Sequence, residues 1–306
     1  MREMIRLLLL SQVDGGHAEA GGSLTVEVGA VLLGLLAAAI VILRGCAKPD
    51  ALAGSPRRLE SLGMLDFPIT FALYLLGGMA FQLAAMRFFT LDQETGRFLF
   101  NTDKQFAVFS VAGQLATYLP GLVYVLYRCG TMPDGLLKFG LLPRQAGREV
   151  VAGVLSFFVA VAMVMGLNAL MVLLSEMFSI NVPEVGHVLL EKLQQSKSWE
   201  VPLLLGIGAI LIAPVCEEIF FRGVIQTVML NAFNGRYRWA VVLFAGALFA
   251  LVHLSAAAWQ TIPGLFLLGV ILGWLYEKRG SLWPPIIVHM LFNAFNFGMV
   301  LLGMDV

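Results

Sequence analysis

Long runs of apolar residues, separated by short polar stretches, dominate the chain. A helix that crosses a membrane needs about 20 mostly apolar residues, and eight runs approach or exceed this length. They are Val26–Leu43, Phe67–Met86, Phe106–Tyr127, Val150–Leu174, Val201–Phe233, Trp239–Leu254, Ile262–Tyr276 and Leu282–Leu302. Because the polar stretches between them are too short to fold alone, the pattern predicts an all-α fold, a polytopic transmembrane bundle of about eight helices.

The segment before the first run is polar. Arg2 and Arg6, followed by Leu7–Leu10, look like the start of a secretory signal. The apolar stretch is shorter than the about 7–15 residues that such a signal needs. We therefore interpret residues 1–25 as a polar leader that stays on the protein, and residues 26–200 as four helices with loops and no assigned role.

The composition agrees with a membrane protein. The 306-residue chain is 59% hydrophobic and 13% charged, with a mean hydropathy of +0.85, and soluble domains are less apolar and more highly charged. The 20 Lys and Arg residues balance the 20 Asp and Glu residues, so we exclude nucleic-acid binding as a main role. Cys46, Cys129 and Cys216 lack the spacing of a disulfide framework or a thiolate metal site.

Lys and Arg residues are unevenly distributed among the loops. If the N-terminus lies outside, the loops that face inward carry more of these residues than the outward loops. Cytoplasmic loops are enriched in Lys and Arg. We therefore expect both termini to lie outside.

Three polar clusters interrupt the last apolar runs. The first contains Glu217, Glu218 and Arg222, the second ends at His253, and the third runs from His289 to Asn293. Inserting an ionisable side chain into a bilayer costs about 2.5–3.5 kcal/mol of free energy. Each cluster is therefore expected to have a structural or functional role. In helices, Glu218 and Arg222 lie on one face, as do His289 and Asn293. Taken alone, Glu218 and Arg222 could be no more than a neutral structural pair.

The turn between the fifth and sixth runs sets the expected depth of two clusters. Asn234-Gly235-Arg236 is a turn signal, and Glu217 and His253 lie 18 residues before and after Gly235. Equal numbers of helical residues on the two sides of the turn predict equal depth in the membrane, so we expect Glu217 and His253 to face each other. His289 is only nine residues beyond Gly280, which predicts a position about 13 Å shallower unless the helix tilts or begins late.

A proline and two glycines that affect the helix backbone or its packing lie in the same apolar runs. Pro214 precedes Glu217 by three residues and cannot donate a hydrogen bond. We therefore expect a kink there that frees the carbonyl of Ile210 and admits water. Gly269 and Gly273 form a GxxxG motif, which predicts close packing of helices.

The ordered set EExxxR, FxxxH and HxxxN resembles the CAAX protease and bacteriocin-processing family, also called CPBP or Abi, which includes the type II CAAX prenyl proteases. The resemblance includes Gly223 after Arg222, and it implies that residues 201–306 form a CPBP-like catalytic core with intramembrane endopeptidase activity. It further implies that the first glutamate and the second-motif histidine activate a water. These are Glu217 and His253 here.

The same resemblance assigns roles to the other motif residues. It implies that His289 and Asn293 stabilise the oxyanion, and that Glu218 and Arg222 support the site. Amide hydrolysis does need a base within reach of a water and donors at the developing negative charge. The chain has no GxSxG, no plausible Cys–His pair and no HExxH, so glutamate and histidine are the residue types available.

A zinc site is an open alternative. Glu217, His253 and His289 could be three ligands of a tetrahedral Zn²⁺ with one open position. We favour a mechanism without a cofactor, because Asn293 after His289 suggests a donor pair rather than a zinc ligand with its usual carboxylate partner. A membrane scaffold or bacteriocin-immunity protein without catalytic activity is a further alternative.

The expected partners are a membrane-associated peptide or protein substrate and the lipid bilayer. The eukaryotic substrates of the family that this chain resembles are prenylated CAAX proteins. The spread of that family favours a bacterial chain, and for such a chain we expect maturation or degradation of small peptides. The expected location is then the bacterial inner (cytoplasmic) membrane, as a multi-pass integral protein.

Overall fold

The structure, a computed structural model, describes residues 20–56, 62–93, 95–143, 145–180, 198–254 and 257–302. Within these ranges the chain is helical, and the only strand-like pairing is an isolated bridge between Leu91 and Phe98. The helices are α1 (Ala20–Leu43), α2 (Asp66–Ala85), α3 (Asp103–Gly130), α4 (Gly135–Phe139), α5 (Ala146–Met177), α6 (Glu200–Ala232), α7 (Arg238–Val252), α8 (Ile262–Arg279) and α9 (Trp283–Leu301). The predicted all-α bundle is confirmed.

Seven helices of the described part are long and apolar enough to cross a membrane, and α7 is a shorter apolar helix of 15 residues. Each of the eight predicted runs corresponds to one of these helices, and the protein is an integral, multi-pass membrane protein. The short helix α4 was not predicted. Of the predicted leader, residues 1–19 lie outside the described residues, and α1 begins at Ala20.

The buried core lies among the C-terminal helices. In the apolar windows of α1, α2 and α3, 11% of the residues are buried, compared with 44% in α6 and α8. Many large apolar side chains of α1 to α3 are exposed, which suits a surface in contact with lipid. Helix α6 packs against α3, α7, α8 and α9. The polar cluster of α6 therefore lies on the most enclosed helix of the bundle.

Helix α6 leaves the α-helical hydrogen-bond register twice. π-helical segments at Ile207–Ile212 and Ile219–Gln226 flank the α-helical turn Ala213–Glu218. A π-helix closes its hydrogen bonds over five residues instead of four, so it has more residues in each turn and rises less with each residue. π-helical segments occur frequently at functional sites.

The first π-helical segment lies where the kink before Glu217 was expected. The N–H of Ala213 donates to the carbonyl of Gly208, five residues earlier. In this register the next carbonyl, that of Ala209, would need a donor from Pro214, which has none. The π register therefore leaves the carbonyl of Ala209 without a backbone donor, and a freed carbonyl at Ile210 stays a prediction.

The GxxxG glycines bring α8 against two neighbours. A Cβ atom on Gly269 would lie 2.8 Å from the Cα atom of Gly246 in α7, and one on Gly273 would lie 2.9 Å from Oε1 of Gln226 in α6. The predicted close packing is confirmed. It also exposes two carbonyls of α8 to α6, because Arg222 Nη2 donates to Gly269 O and Gln226 Nε2 donates to Gly273 O, each at 3.0 Å.

Gly223 has a comparable role in the packing of α4 on α6. A Cβ atom at Gly223 would lie 2.2 Å from Cζ of Phe139 in α4, and Phe139 is fully buried. The glycine after Arg222 therefore admits an aromatic ring beside the polar cluster.

We expect Gly223→Ala to lower the free energy of unfolding by about 1–3 kcal/mol, because the added methyl group displaces the Phe139 ring. The matched control is Gly298→Ala in α9, where a Cβ atom meets nothing within 4 Å. It should keep or slightly raise stability, since Ala favours helices. Thermal unfolding in detergent measures both, and equal melting temperatures would contradict the packing role of Gly223.

Candidate active site

The helix bundle brings five ionisable side chains of the three motifs together. Glu217, Glu218 and Arg222 come from α6, His253 is the residue directly after α7, and His289 comes from α9. The side chains of Glu218 and Arg222 are fully buried, whereas those of Glu217 and His253 are 17% and 28% exposed. The cluster therefore has a buried half and a partly open half.

The buried half is organised around Glu218. Its Oε1 atom accepts from Nη1 of Arg222 at 2.8 Å and lies 2.9 Å from Nδ1 of His289. The guanidinium carbon of Arg222 lies 4.8 Å from the centre of the Phe249 ring, a cation–π contact. Because a buried charge is tolerated only with such partners, Glu218 is held as a fixed anion that orients His289.

Both histidines direct Nε2 at the same carboxylate oxygen. Oε2 of Glu217 lies 3.9 Å from Nε2 of His253 and 3.9 Å from Nε2 of His289. These distances are longer than a hydrogen bond and are within the span that one water bridges.

Hydrogen bonds on the far side of each ring fix this orientation. Nδ1 of His253 lies 2.7 Å from the carbonyl oxygen of Phe249, and a carbonyl only accepts, so Nδ1 is the donor. The ionised carboxylate of Glu218 imposes the same arrangement on Nδ1 of His289. In the neutral form of either ring, Nε2 therefore presents a lone pair toward Glu217.

Phe249 links the two halves of the cluster. Its ring centre lies 4.7 Å from the His253 ring and 5.5 Å from the His289 ring. The side chain of Phe249 is almost completely buried. In the FxxxH motif the backbone of Phe249 thus binds the histidine, and its ring contacts both histidines and the guanidinium group of Arg222.

His289 reaches the glutamates despite its short distance from the loop at Gly280. The expected offset of about 13 Å assumed a uniform α-helical rise. Residues 219–226 of α6 are π-helical, which shortens the rise between the glutamates and the loop at Gly235. His289 Nδ1 thus lies 2.9 Å from Oε1 of Glu218.

Asn293 binds the backbone of α6. Its Nδ2 atom donates to the carbonyl of Ala209 at 2.8 Å. This is the carbonyl that the π register and Pro214 leave without a backbone donor. One of the two amide hydrogens of Asn293 is therefore used to tie α9 to the irregular part of α6.

Tyr118 of α3 also contacts the cluster, and sequence reasoning missed it. Its hydroxyl group donates to Oε1 of Glu217 at 3.3 Å. A tyrosine in an apolar helix needs a polar partner for its hydroxyl group. The sequence contains that signal, but it does not indicate which of the tyrosines in α2 and α3 faces Glu217.

The structure bears on the zinc alternative through the partner of His289. Among the residues that the structure describes, no group of three or more His, Cys, Asp or Glu side chains is arranged to hold a metal ion. The expectation that His289 lacks a carboxylate partner is wrong, because Glu218 accepts from its Nδ1. Only the packing of α9 on α6 brings these two residues together.

A cavity of about 740 Å³ lies apart from this cluster, between α2 and α3 near the Leu91–Phe98 bridge. Its lining includes Phe81, Phe106, Phe109 and Thr117. None of the residues of the three motifs lines it, and Tyr118 does not line it either.

Comparison with known proteins gives a family match to the part of the chain that carries the three motifs. Residues 199–295 match the family model described as type II CAAX prenyl endopeptidase Rce1-like. A protein of Staphylococcus aureus (strain USA300) named membrane-embedded CAAX protease MroQ is 36% identical over 88 residues, which cover 28% of this chain and 34% of the relative. These matches confirm the resemblance based on the motifs.

An uncharacterized 24.3 kDa protein of Escherichia coli is 33% identical over 102 residues, which cover 32% of this chain and 45% of the relative. The matched segment thus spans less than half the length of either curated relative. No solved structure matches the chain significantly.

We expect Arg222→Leu to destabilise the protein by about 3–5 kcal/mol, because it leaves the buried Glu218 charge without its cation. The control is Arg87→Leu, which removes an arginine exposed at the surface and should change stability little. The yield of monodisperse protein and the melting temperature in detergent measure the effect. A stable Arg222→Leu protein would show that the pair is dispensable.

Proposed function

We propose that this chain, which matches the type II CAAX prenyl endopeptidase Rce1-like model over residues 199–295, is a membrane-embedded endopeptidase with a glutamate-activated water. The observation that supports this most directly is the convergence of His253 Nε2 and His289 Nε2 on Glu217 Oε2, each at 3.9 Å. A base and two hydrogen-bonding groups around one point are the requirements of amide hydrolysis.

In the proposed first step, Glu217 is the general base. It takes a proton from a water that is held between its Oε2 atom and Nε2 of His253. The water oxygen forms a bond to the carbonyl carbon of the substrate, and the carbonyl oxygen takes the negative charge. The partial exposure of Glu217 and His253 gives water and substrate access to this half of the cluster.

In the proposed intermediate, His289 and Asn293 donate to the oxyanion. In this mechanism His289 enters the reaction already protonated on both nitrogens, so Nδ1 donates to Glu218 while Nε2 donates to the substrate, and no further proton is needed. Asn293 has a second amide hydrogen beyond the one bound to Ala209 O. Donors in a water-poor site are effective at stabilising such charge.

The proposed second step completes the hydrolysis. The carbon–nitrogen bond breaks as the carbonyl re-forms, and Glu217 returns its proton to the leaving amine. The products are a carboxylic acid and an amine, and the base is regenerated. Glu218 and Arg222 take no part in the bond changes, and they hold His289 in place.

The proposed substrate is a peptide or protein segment that reaches the bilayer. The cluster lies on α6, α9 and the end of α7, inside a bundle whose described part has seven helices of membrane length, so a substrate must approach from the membrane or from its surface. The two relatives reported above come from bacteria, which supports a location in a bacterial inner membrane and a small peptide as the substrate.

Zinc-dependent hydrolysis is the second candidate, and one observation favours it. Zinc-binding histidines usually donate their other nitrogen to a carboxylate or carbonyl, as His289 does to Glu218 and His253 does to Phe249. We place it second because the metal-free mechanism uses the side chains in their observed positions. A zinc ion would require Glu217 and the histidines to move closer together.

We expect Glu217→Gln to abolish peptide cleavage, because the amide cannot accept the proton of the water. The assay uses purified protein in detergent with two internally quenched peptides of one sequence, with and without a farnesylated CAAX terminus. The control is Glu200→Gln at the start of the same helix, where an exposed glutamate pairs with Lys104. Unchanged melting temperatures would show that both variants are folded.

Equal cleavage by wild type and Glu217→Gln would overturn the mechanism. If the wild type cleaves neither of these peptides nor any further apolar peptide, the scaffold or immunity role is favoured instead. Preference for the farnesylated peptide would assign the substrate class.

The metal question has its own test. We expect cleavage to survive extensive treatment with 1,10-phenanthroline, and the purified protein to carry less than stoichiometric zinc. Zinc content is measured by mass spectrometry of the metal. If zinc tracks activity and is lost in His253→Ala, the zinc-dependent mechanism replaces the metal-free one.

A further inference from the structure

The two oxygens of the Glu217 carboxylate face different partners. Oε2 lies toward His253 and His289, as described above, whereas Oε1 accepts from the Tyr118 hydroxyl group at 3.3 Å. A phenol has a single hydrogen to donate, and here it is directed at the carboxylate. One oxygen of the base is therefore tied to α3 while the other points at the histidines.

We propose that Tyr118 is a positioning residue for the hydrolysis, which fixes the Glu217 carboxylate so that Oε2 faces the water. This rests on the proposed endopeptidase function. A carboxylate at the end of a glutamate side chain rotates easily about its last torsion. The partly open position of Glu217 leaves the Tyr118 hydroxyl group as the restraint on Oε1.

The surroundings of Tyr118 hold the phenol in position. The ring of Tyr74 in α2 meets the Tyr118 ring edge-on, with centroids 5.4 Å apart. Tyr74 itself packs on Gly121, where a Cβ atom would lie 2.2 Å from its ring. The glycine one turn after Tyr118 thus allows α2 to press an aromatic ring against the residue that holds the base.

The hydrogen bond from Tyr118 to Glu217 is long for its type. Hydroxyl-to-carboxylate bonds are usually about 2.5–3.0 Å long, and the bond to Glu217 is longer at 3.3 Å. Hydrogen bonds at catalytic sites are often long without substrate and tighten when it binds. We therefore expect Tyr118 to affect the chemical step rather than substrate binding.

The part of the chain that precedes the matched family segment would then help to position the catalytic base. Tyr118 lies in α3, whereas the family match covers residues 199–295. The helices before α6 would then complete the site in addition to surrounding it.

Tyr74 supplies a matched control. It belongs to the same aromatic cluster, and its buried hydroxyl group has no hydrogen-bond partner among the described residues. Removing the hydroxyl oxygen from Tyr74 or Tyr118 changes the packing similarly. Only the change at Tyr118 removes a hydrogen bond to the base.

The first test compares the steady-state kinetics of Tyr118→Phe and Tyr74→Phe on the quenched peptide that the wild type cleaves. We expect kcat of Tyr118→Phe to fall about 10- to 100-fold, with KM within about twofold of wild type, as the loss of a hydrogen bond to a charged group predicts. Tyr74→Phe should keep both constants within about twofold. Equal kcat values for Tyr118→Phe and wild type would overturn the proposal.

A double-mutant cycle separates positioning from general packing. Glu217→Asp shortens the side chain, so its carboxylate no longer reaches both Tyr118 and the histidines. Adding Tyr118→Phe to Glu217→Asp should therefore lower the residual kcat by less than about threefold. Full additivity of the two effects would show that Tyr118 acts independently of Glu217 and would reject the positioning role.

A third measurement does not depend on activity. With 3-fluorotyrosine incorporated at position 118, the ¹⁹F resonance should shift in Glu217→Gln and should be unchanged in Glu200→Gln. No shift in Glu217→Gln would exclude the contact. If the contact is present but the wild type cleaves no peptide, the proposed function fails and the positioning role of Tyr118 fails with it.

Discussion

The rest of the site depends on the compensation of one fully buried negative charge. Glu218 is enclosed in the bundle, and its charge is balanced by Arg222 on the same helix and by a hydrogen bond with His289 on another. Arg222 in turn requires the carbonyl of Gly269, which only a closely packed glycine-containing helix brings within 3.0 Å. A single carboxylate thus couples α6, α8 and α9, since losing any partner leaves an unpaired polar group in a dry interior.

Two consecutive glutamates suit this arrangement because neighbouring residues on a helix point in different directions. Glu218 faces the core and is used for structure, so Glu217 is directed to the side where α3 and the end of α7 lie. There it remains partly exposed and meets Tyr118, His253 and His289. A buried, fixed carboxylate and a partly exposed one, which is the base that we propose, thus come from adjacent positions on one helix.

The irregular backbone of α6 has its own requirement. A carbonyl at membrane depth must be hydrogen-bonded within the protein, since lipid offers no donor. The π-helical segment and Pro214 together leave the Ala209 carbonyl without a backbone donor, and Asn293 supplies one from α9. Asn293 therefore belongs to the same set of interhelical ties as His289, one α-helical turn before it on the same face of α9.

The sequence by itself determined the helical bundle, the three motifs and the facing of Glu217 and His253. Hydrophobic length, i, i+4 spacing and residue counts about Gly235 are local quantities that need no packing information. Only the tertiary structure decided that His289 pairs with Glu218, that Asn293 binds Ala209 and that Tyr118 reaches Glu217. The first two contacts depend on the π-helical register of α6 and the third on the face that α3 presents, and both are set by contacts between residues distant in the chain.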